Sequence, residues 1–209
     1  EIGSGLVGSE MCIRDRDGVL VNEALDYLRV GMFSVGGGWR LRDRLVVSVE
    51  GFYKKYGNIP LSVSDGIPLS CKGDDYGVVG NEALRPTAVG RSYGIEAMAR
   101  WQIPGRVNLV GSVTLFRSEY RADAASEYIV SAWDSRFVAN LSGTYDLPRN
   151  WSVGARLSAV GGTPYTPYDV EKSSLVEAWD AQGRPYYDYG RYNDGRLDAF
   201  AQVDLRIDK

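Results

Sequence analysis

The chain has 209 residues, a formal net charge of −3 and a 44% hydrophobic composition, enough for one or two domains with an apolar core. No run of about eighteen apolar residues occurs, so a transmembrane helix is excluded, and no segment has the charged start and apolar middle of a signal peptide. Lys, Arg, Asp and Glu are interspersed rather than gathered in a basic stripe, which argues against nucleic-acid binding.

Residue chemistry narrows the function further. Cys12 and Cys71 form no CxxC pair and no metal-ligand spacing, and no cofactor is expected. Histidine is absent, so Ser-His-Asp and Cys-His machinery and imidazole acid-base catalysis are unavailable. An enzyme is therefore not expected. Tyrosine (14 copies) and glycine (25 copies) are abundant instead, which suits aromatic belts and tight strand geometry.

In chain order, Glu1–Arg16 (EIGSGLVGSEMCIRDR) lacks the alternation of everything after it. It resembles translated sequencing-adapter read-through and is set apart as non-native, the simpler alternative being a flexible loop. The first strand is predicted over Tyr27–Leu41, with Leu28, Val30 and Met32 on one face, Arg29 and Gly31 on the other, and a bend or bulge at Gly36–Gly38. After the turn Leu41–Arg44, a second strand sets Leu45, Val47, Val49, Gly51 and Tyr53 against Val46, Ser48, Glu50, Phe52 and Lys54. A long polar segment follows, Asn58–Ala88.

The third strand places Tyr93, Ile95, Ala97, Ala99 and Trp101 opposite Ser92, Gly94, Glu96, Met98 and Arg100. The turn Ile103–Arg106 leads to a fourth, with Val107, Leu109, Gly111, Val113 and Leu115 on its apolar face, and then a loop over Tyr120–Ser131. A fifth strand over Trp133–Leu147 carries Phe137, Ala139, Leu141, Gly143 and Tyr145 opposite Arg136, Asn140, Ser142, Thr144 and Asp146. The turn Pro148–Asn150 precedes a sixth, with Trp151, Val153, Ala155, Leu157 and Ala159 aligned. Next is the loop Thr163–Asp194, of roughly thirty residues, far longer than a compact soluble domain usually tolerates. The seventh strand is Arg196–Lys209, whose alternation from Leu197 to Ile207 meets the roughly nine to eleven residues of a strand crossing a bilayer.

Turns therefore alternate short and long, which in an up-and-down meander puts every short turn at one end of the sheet and every long loop at the other. Outer-membrane barrels have this asymmetry. Aromatic placement agrees with it: Trp101, Tyr145 and Trp151 flank the short turns, while Tyr53, Tyr93 and Trp133 lie toward the long loops. Two such rows match the girdles at the two headgroup levels, the alternative being core anchors of a sandwich. The opposite face, with Glu50, Glu96, Arg100, Arg136, Asp146, Arg156, Asp198, Asp204 and Arg206, suits a polar lumen. The expected fold is all-β, an antiparallel up-and-down transmembrane β-barrel fragment of about seven strands.

Four stretches, GRSYGIE (Gly90–Glu96), WDSRF (Trp133–Phe137), GGTPYTPYD (Gly161–Asp169) and GRLDAFAQVDLRIDK (Gly195–Lys209), resemble in order and spacing the late barrel strands of TonB-dependent outer-membrane receptors, particularly those of Bacteroidetes. The resemblance covers Asp17–Lys209. It implies a barrel of about 22 strands with an N-terminal plug. It further implies location in the bacterial outer membrane, contact with membrane lipid, energising by a TonB-type protein through a plug absent from this chain, and import of an iron chelate, cobalamin or glycan. Two departures stand out: Phe137 occupies the place of a histidine in the family's WDxRH pattern, and the chain stops before the closing strands.

Other candidate chemistry is sparse. Asp74 and Asp75 are adjacent loop carboxylates, more simply solvated than catalytic. The loop Tyr186–Gly195 offers Tyr186, Tyr187, Arg191 and Tyr192 as a ligand-facing set for sugar rings or an anionic chelate. Asp188 and Asp194 there match no calcium-loop pattern, and a polar surface loop with an Asp-Gly turn is the simpler reading. The sequons at Asn140 and Asn150 are read as chance. An import receptor is the leading function, and a passive structural or adhesive barrel without a plug is the alternative.

Overall fold

The computed structural model of the chain describes residues 22–23, 25–73 and 79–209. The segment Glu1–Arg16 and the pair Asp74 and Asp75 lie outside the described residues. Among the described residues ten strands occur in chain order: β1 (Arg29–Leu41), β2 (Leu45–Ser62), β3 (Leu84–Ile103), β4 (Val107–Arg121), β5 (Ile129–Val130), β6 (Phe137–Leu147), β7 (Trp151–Val160), β8 (Pro164–Tyr165), β9 (Gly195–Arg196) and β10 (Phe200–Asp208). Seven long ones form one antiparallel sheet in the order β1-β2-β3-β4-β6-β7-β10, with β5 beside β4, while β8 and β9 pair separately. Every neighbour on the main path is also the next long strand in sequence, as a meander requires. Among the described residues no helix is long and apolar enough to cross a membrane.

Register confirms the two faces. One row runs Gly51, Ile95, Leu115, Phe137, and a second runs Val49, Ala97, Val113, Ala139, Ala159, Ala201, each residue paired with the next across the sheet. These side chains are apolar yet open: Ile95 and Leu115 are each more than half exposed, and Leu205 is 78% exposed. On the other face a row runs Glu50, Glu96, Thr114, and another runs Ser142, Arg156, Asp204. A sheet whose apolar face stays uncovered is stable where the surroundings are themselves apolar.

The short turns are tight. Arg106 N donates to Ile103 O at 3.0 Å across a turn in which Gly105 has φ of 66°, and Arg149 and Asn150 both take positive φ in the turn before β7. Gly and Asn adopt that backbone readily, whereas arginine does so at a cost.

Several boundaries differ from expectation. β2 has 18 residues and β3 has 20, so both run into the segment read as loop and carry the sheet past the bilayer at the long-loop end. No bulge forms at Gly36–Gly38, because β1 pairs with β2 in unbroken register from Arg29 to Leu41. The irregularity lies instead between Tyr56 and Leu61, around Asn58 at φ of 56°. That register also puts Phe33, Val35, Trp39 and Leu41 on the apolar outer face, with Val30 and Met32 on the inner one beside Tyr56 and Lys54. The fifth strand begins at Phe137, leaving Trp133 in the turn before it. The seventh divides, since Gly195 and Arg196 pair with Tyr165 and Pro164 before β10 begins at Phe200.

Candidate functional site at the long-loop end

The buried core lies beyond the membrane wall. Ile59, Ala88 and Tyr120 from the extended ends of β2, β3 and β4 pack with Ile67 and Cys71 of the β2–β3 loop, flanked by Tyr56, Leu61, Ile129 and Tyr192. Tyr56, Gly90 and Tyr120 are paired in register on the inner face, and a Cβ on Gly90 would sit 2.0 Å from the Tyr120 ring. The loop therefore folds inward over the lumen and leaves the outer face bare. Its turn is closed by Gly66 N donating to Ser62 O at 3.0 Å and by Asp65 Oδ1 accepting from Ile67 N at 2.9 Å.

Lys72 fastens that loop, donating from Nζ to Asp65 Oδ2 at 2.7 Å and to Glu82 Oε1 at 2.8 Å. Burial alone would lower the Lys72 pKa, but its hydrogen bonds and charge pairing with Asp65 and Glu82 raise it above the usual lysine value. Glu82 shifts the opposite way: burial would raise it, and the Lys72 and backbone hydrogen bonds bring it below the usual carboxylate range. Burial pushes the Cys71 thiol far up, against a smaller opposing hydrogen bond, so the group is a packed apolar element and no nucleophile.

Two polar hubs join the remaining loops. Asn193 donates from Nδ2 to Cys71 O at 2.7 Å and to Val130 O at 2.8 Å, while its backbone N–H donates to Thr166 Oγ1 at 3.1 Å. One buried side chain thus ties three loops. Asp134, with no exposed surface, accepts from Ser118 N at 2.8 Å and from Arg196 at 3.3 Å. Arg196 also donates to Asp134 O at 2.5 Å and to Gly162 O at 2.6 Å. A Cβ on Gly162 would lie 1.7 Å from Leu197 O, so the segment carrying Arg196 approaches as closely as a bare backbone allows. The four stretches singled out in sequence converge here: Ser92 bonds Ser118, Ser118 bonds Asp134, and Asp134 holds Arg196 against Gly162. Sequence reading took them as strand markers and missed this convergence. The opposite charges of Asp134 and Arg196, inside two of the stretches, were the available signal.

The Tyr186–Gly195 loop is ordered by its own polar groups. Tyr186 O accepts from Asp169 N at 2.9 Å. Tyr187 stacks on Tyr168 with centroids 5.4 Å apart, and Tyr189 on Tyr192 at 6.0 Å. Tyr192 packs on the buried core, whereas Arg191 is exposed and paired with Asp194 at 3.3 Å. Asp188 accepts from Gly190 N at 3.0 Å, so both loop carboxylates serve the chain's own turns. The loop brings Tyr189 and Arg191 to its exposed side, while Tyr186, Tyr187 and Tyr192 are half-buried.

Of the aromatics, Tyr53 and Tyr93 are direct cross-strand partners, and Trp101 pairs with Leu45 at the opposite end. Tyr145 pairs with Val107 and Trp151 with Leu147, and Lys209 Nζ lies 5.3 Å from the Trp151 ring centre. Trp133 stands in its turn, 67% exposed. Arg136, expected to face the lumen, takes φ of 64° and instead borders the outer face beside Tyr93 and Arg117.

An uncovered apolar outer face, a polar inner face, short turns at one end and interlocked loops at the other define part of the wall of a transmembrane β-barrel. The chain belongs to the family described as TonB dependent receptor-like, beta-barrel, whose profile matches residues 33–209. Such barrels lie in the outer membrane of Gram-negative bacteria and are receptors and transporters, not enzymes. Solved structures share the fold, three of them as follows. The chain is similar to the ferric-catecholate import receptor Fiu of E. coli K12 (TM-score 0.56, 14% identity, covering 86% of this chain and 21% of that one). It is similar also to the pyoverdine outer membrane receptor FpvA of Pseudomonas aeruginosa PAO1, bound to pyoverdine (0.58, 16%, 94% and 25%). The third is the FrpB iron transporter of Neisseria meningitidis (0.55, 11%, 88% and 24%). The chain thus spans between 21% and 25% of the length of these proteins. None of the curated proteins compared with it matches.

Proposed function

We propose that the chain is a section of an energy-coupled import receptor for a scarce ligand, with an iron chelate favoured over cobalamin or a glycan. The observation that carries this reading is the inward-folded, interlocked loop end, where Lys72, Asn193 and Asp134 hold three loops over the lumen. A passive wall has no use for such an ordered mouth. The names of the similar structures, all concerned with iron or an iron-binding pyoverdine, support the chelate class. Within the mouth, the exposed Arg191 would meet an anionic, aromatic chelate, with the half-buried Tyr186, Tyr187 and Tyr192 behind it. Energy would come from a TonB-type protein acting through a plug. In the wall, Tyr53 and Tyr93 form the upper girdle with Trp133 above them, and Trp101, Tyr145 and Trp151 form the lower one.

The test is uptake of radiolabelled ferric chelates by iron-starved cells that lack their own receptors and express the gene carrying this chain. Uptake that stops with a protonophore or on deletion of the TonB-type protein is expected. Uptake that persists without energy would instead establish the passive barrel.

A further inference from the structure

Every short turn of the sheet carries an exposed arginine. Arg44 closes the β1–β2 turn, Arg106 closes the β3–β4 turn, and Arg149 stands at the centre of the β6–β7 turn. Their guanidiniums make no hydrogen bond or ion pair among the described residues. Just inside them, on the inner face, Arg40 and Arg100 flank Val46 across the sheet, and Arg100 reaches only Gln102 Oε1, at 3.3 Å. The exposed carboxylates at this end, Asp43 and Asp146, form no ion pair with any of them, and Asp208 is already held by Arg206 at 2.8 Å.

Spacing and backbone strain both point from this row to a partner. Successive short turns are two strands apart, so the arginine tips repeat at about 10 Å along the rim. A row of that period meets a repeating polyanion, one carboxylate to each guanidinium fork, better than it meets a single small anion. Arg149 is held at φ of 64°, a backbone that strains arginine and suits glycine, so the turn keeps a cation at its tip at the expense of stability. The charge also runs from the tips onto the inner, water-facing wall at Arg40 and Arg100, out of reach of lipid headgroups, which favours a polymer in the periplasm over phospholipid.

Short turns of an outer-membrane barrel face the periplasm. The polymer directly beneath them is peptidoglycan, whose stem peptides carry free carboxylates. We propose that the short-turn rim docks on peptidoglycan, with Arg44, Arg106 and Arg149 each taking a stem-peptide carboxylate and Arg40 and Arg100 adding to the positive field behind them. The assignment depends on the outer-membrane position and not on what the receptor imports, so docking is read without transport.

The full-length product of the gene carrying this chain, in non-ionic detergent, is sedimented with purified Gram-negative sacculi and with sacculi whose carboxylates have been amidated. Binding to the untreated sacculi alone is expected, weakening as added salt screens the exposed contacts. R44Q/R106Q/R149Q is expected to weaken it by about tenfold to a hundredfold, as three exposed contacts worth about two- to fivefold each would do. Arg149→Gly separates docking from folding: it relieves the turn and raises stability, yet is expected to weaken binding by about two- to fivefold. Equal sedimentation with amidated sacculi, unchanged binding by R44Q/R106Q/R149Q, or Arg149→Gly binding as tightly as the parent would each overturn the proposal. Full competition by phosphatidylglycerol vesicles at matched charge would overturn it in favour of lipid phosphate. A co-purifying acidic protein that shields these arginines from phenylglyoxal would do so in favour of a protein partner.

Discussion

The wall and the loop end solve opposite problems with one chain. In the wall, hydrogen-bonded neighbours and period-two patterning place apolar rows outward, and almost no side chain there is fully buried. At the loop end the sheet is prolonged, the chain turns inward, and the buried apolar cluster, the Lys72 clamp and the Asn193 and Asp134 hubs appear together. The wall takes its stability from the solvent it displaces, lipid in place of a protein core. The loop end, which faces water, must supply its own core.

If that division holds, the largest loss follows from the most buried charge. Asp134→Ala strands Arg196 and the Ser118 N–H, and a cost of about 3–5 kcal/mol is expected, with Asp134→Asn milder because it keeps an acceptor. Denaturant titration of the protein in liposomes would measure it. In the wall, Val113→Arg on the outer face is expected to cost about 2–4 kcal/mol, whereas Ser112→Arg, one residue away on the inner face, costs little. Equal effects at the two positions would erase the distinction between faces.

A smaller effect probes the clamp. With Cys12 replaced by serine, maleimide labelling of the buried Cys71 reports opening of the β2–β3 loop. Lys72→Ala is expected to speed it about tenfold, as loss of a partly buried pair worth about 1–2 kcal/mol would do. The pH dependence follows from the shifts. Glu82, lowered on folding, contributes fully above its ordinary value near 4.5 and loses that contribution as the pH falls through its depressed one. Lys72, raised on folding, contributes fully below its ordinary value near 10.5 and loses it as the pH rises through its elevated one. Labelling, corrected by the rate for unfolded chain, is therefore slowest between those limits and accelerates in acid. The smallest change expected is a gain: Arg149→Gly relieves a positive φ in a short turn and stabilises by about 1 kcal/mol, read from the same denaturant titration.

How far the sequence could be read divides along the same line. Within the strands between Leu45 and Ala159 strict alternation fixes which side chain shares a row with which, so the strand faces and short turns were legible. β1 was not, because alternation around Val30 and Met32 is as good as that around Phe33 and Val35, and only pairing with β2 selects the outer set. Arg136 was misplaced for a related reason: its left-handed backbone breaks the period-two rule locally. At the loop end no periodicity exists to read. Asn193 bonds backbone 122 residues away, and such a contact is set by the closure of three loops together. The resemblance of four short stretches identified the family but not that Ser92, Asp134, Gly162 and Arg196 form one chain of contacts.

The most direct test of the account is the orientation of the wall. Single spin labels placed along β4 from Val107 to Leu115, in the Cys12→Ser chain embedded in outer-membrane liposomes, would be read for collisions with oxygen in lipid and with a water-soluble nickel chelate. Oxygen accessibility is expected to peak at 107, 109, 111, 113 and 115 and nickel accessibility at the residues between. Flat profiles, or oxygen peaks at 108, 110, 112 and 114, would contradict it.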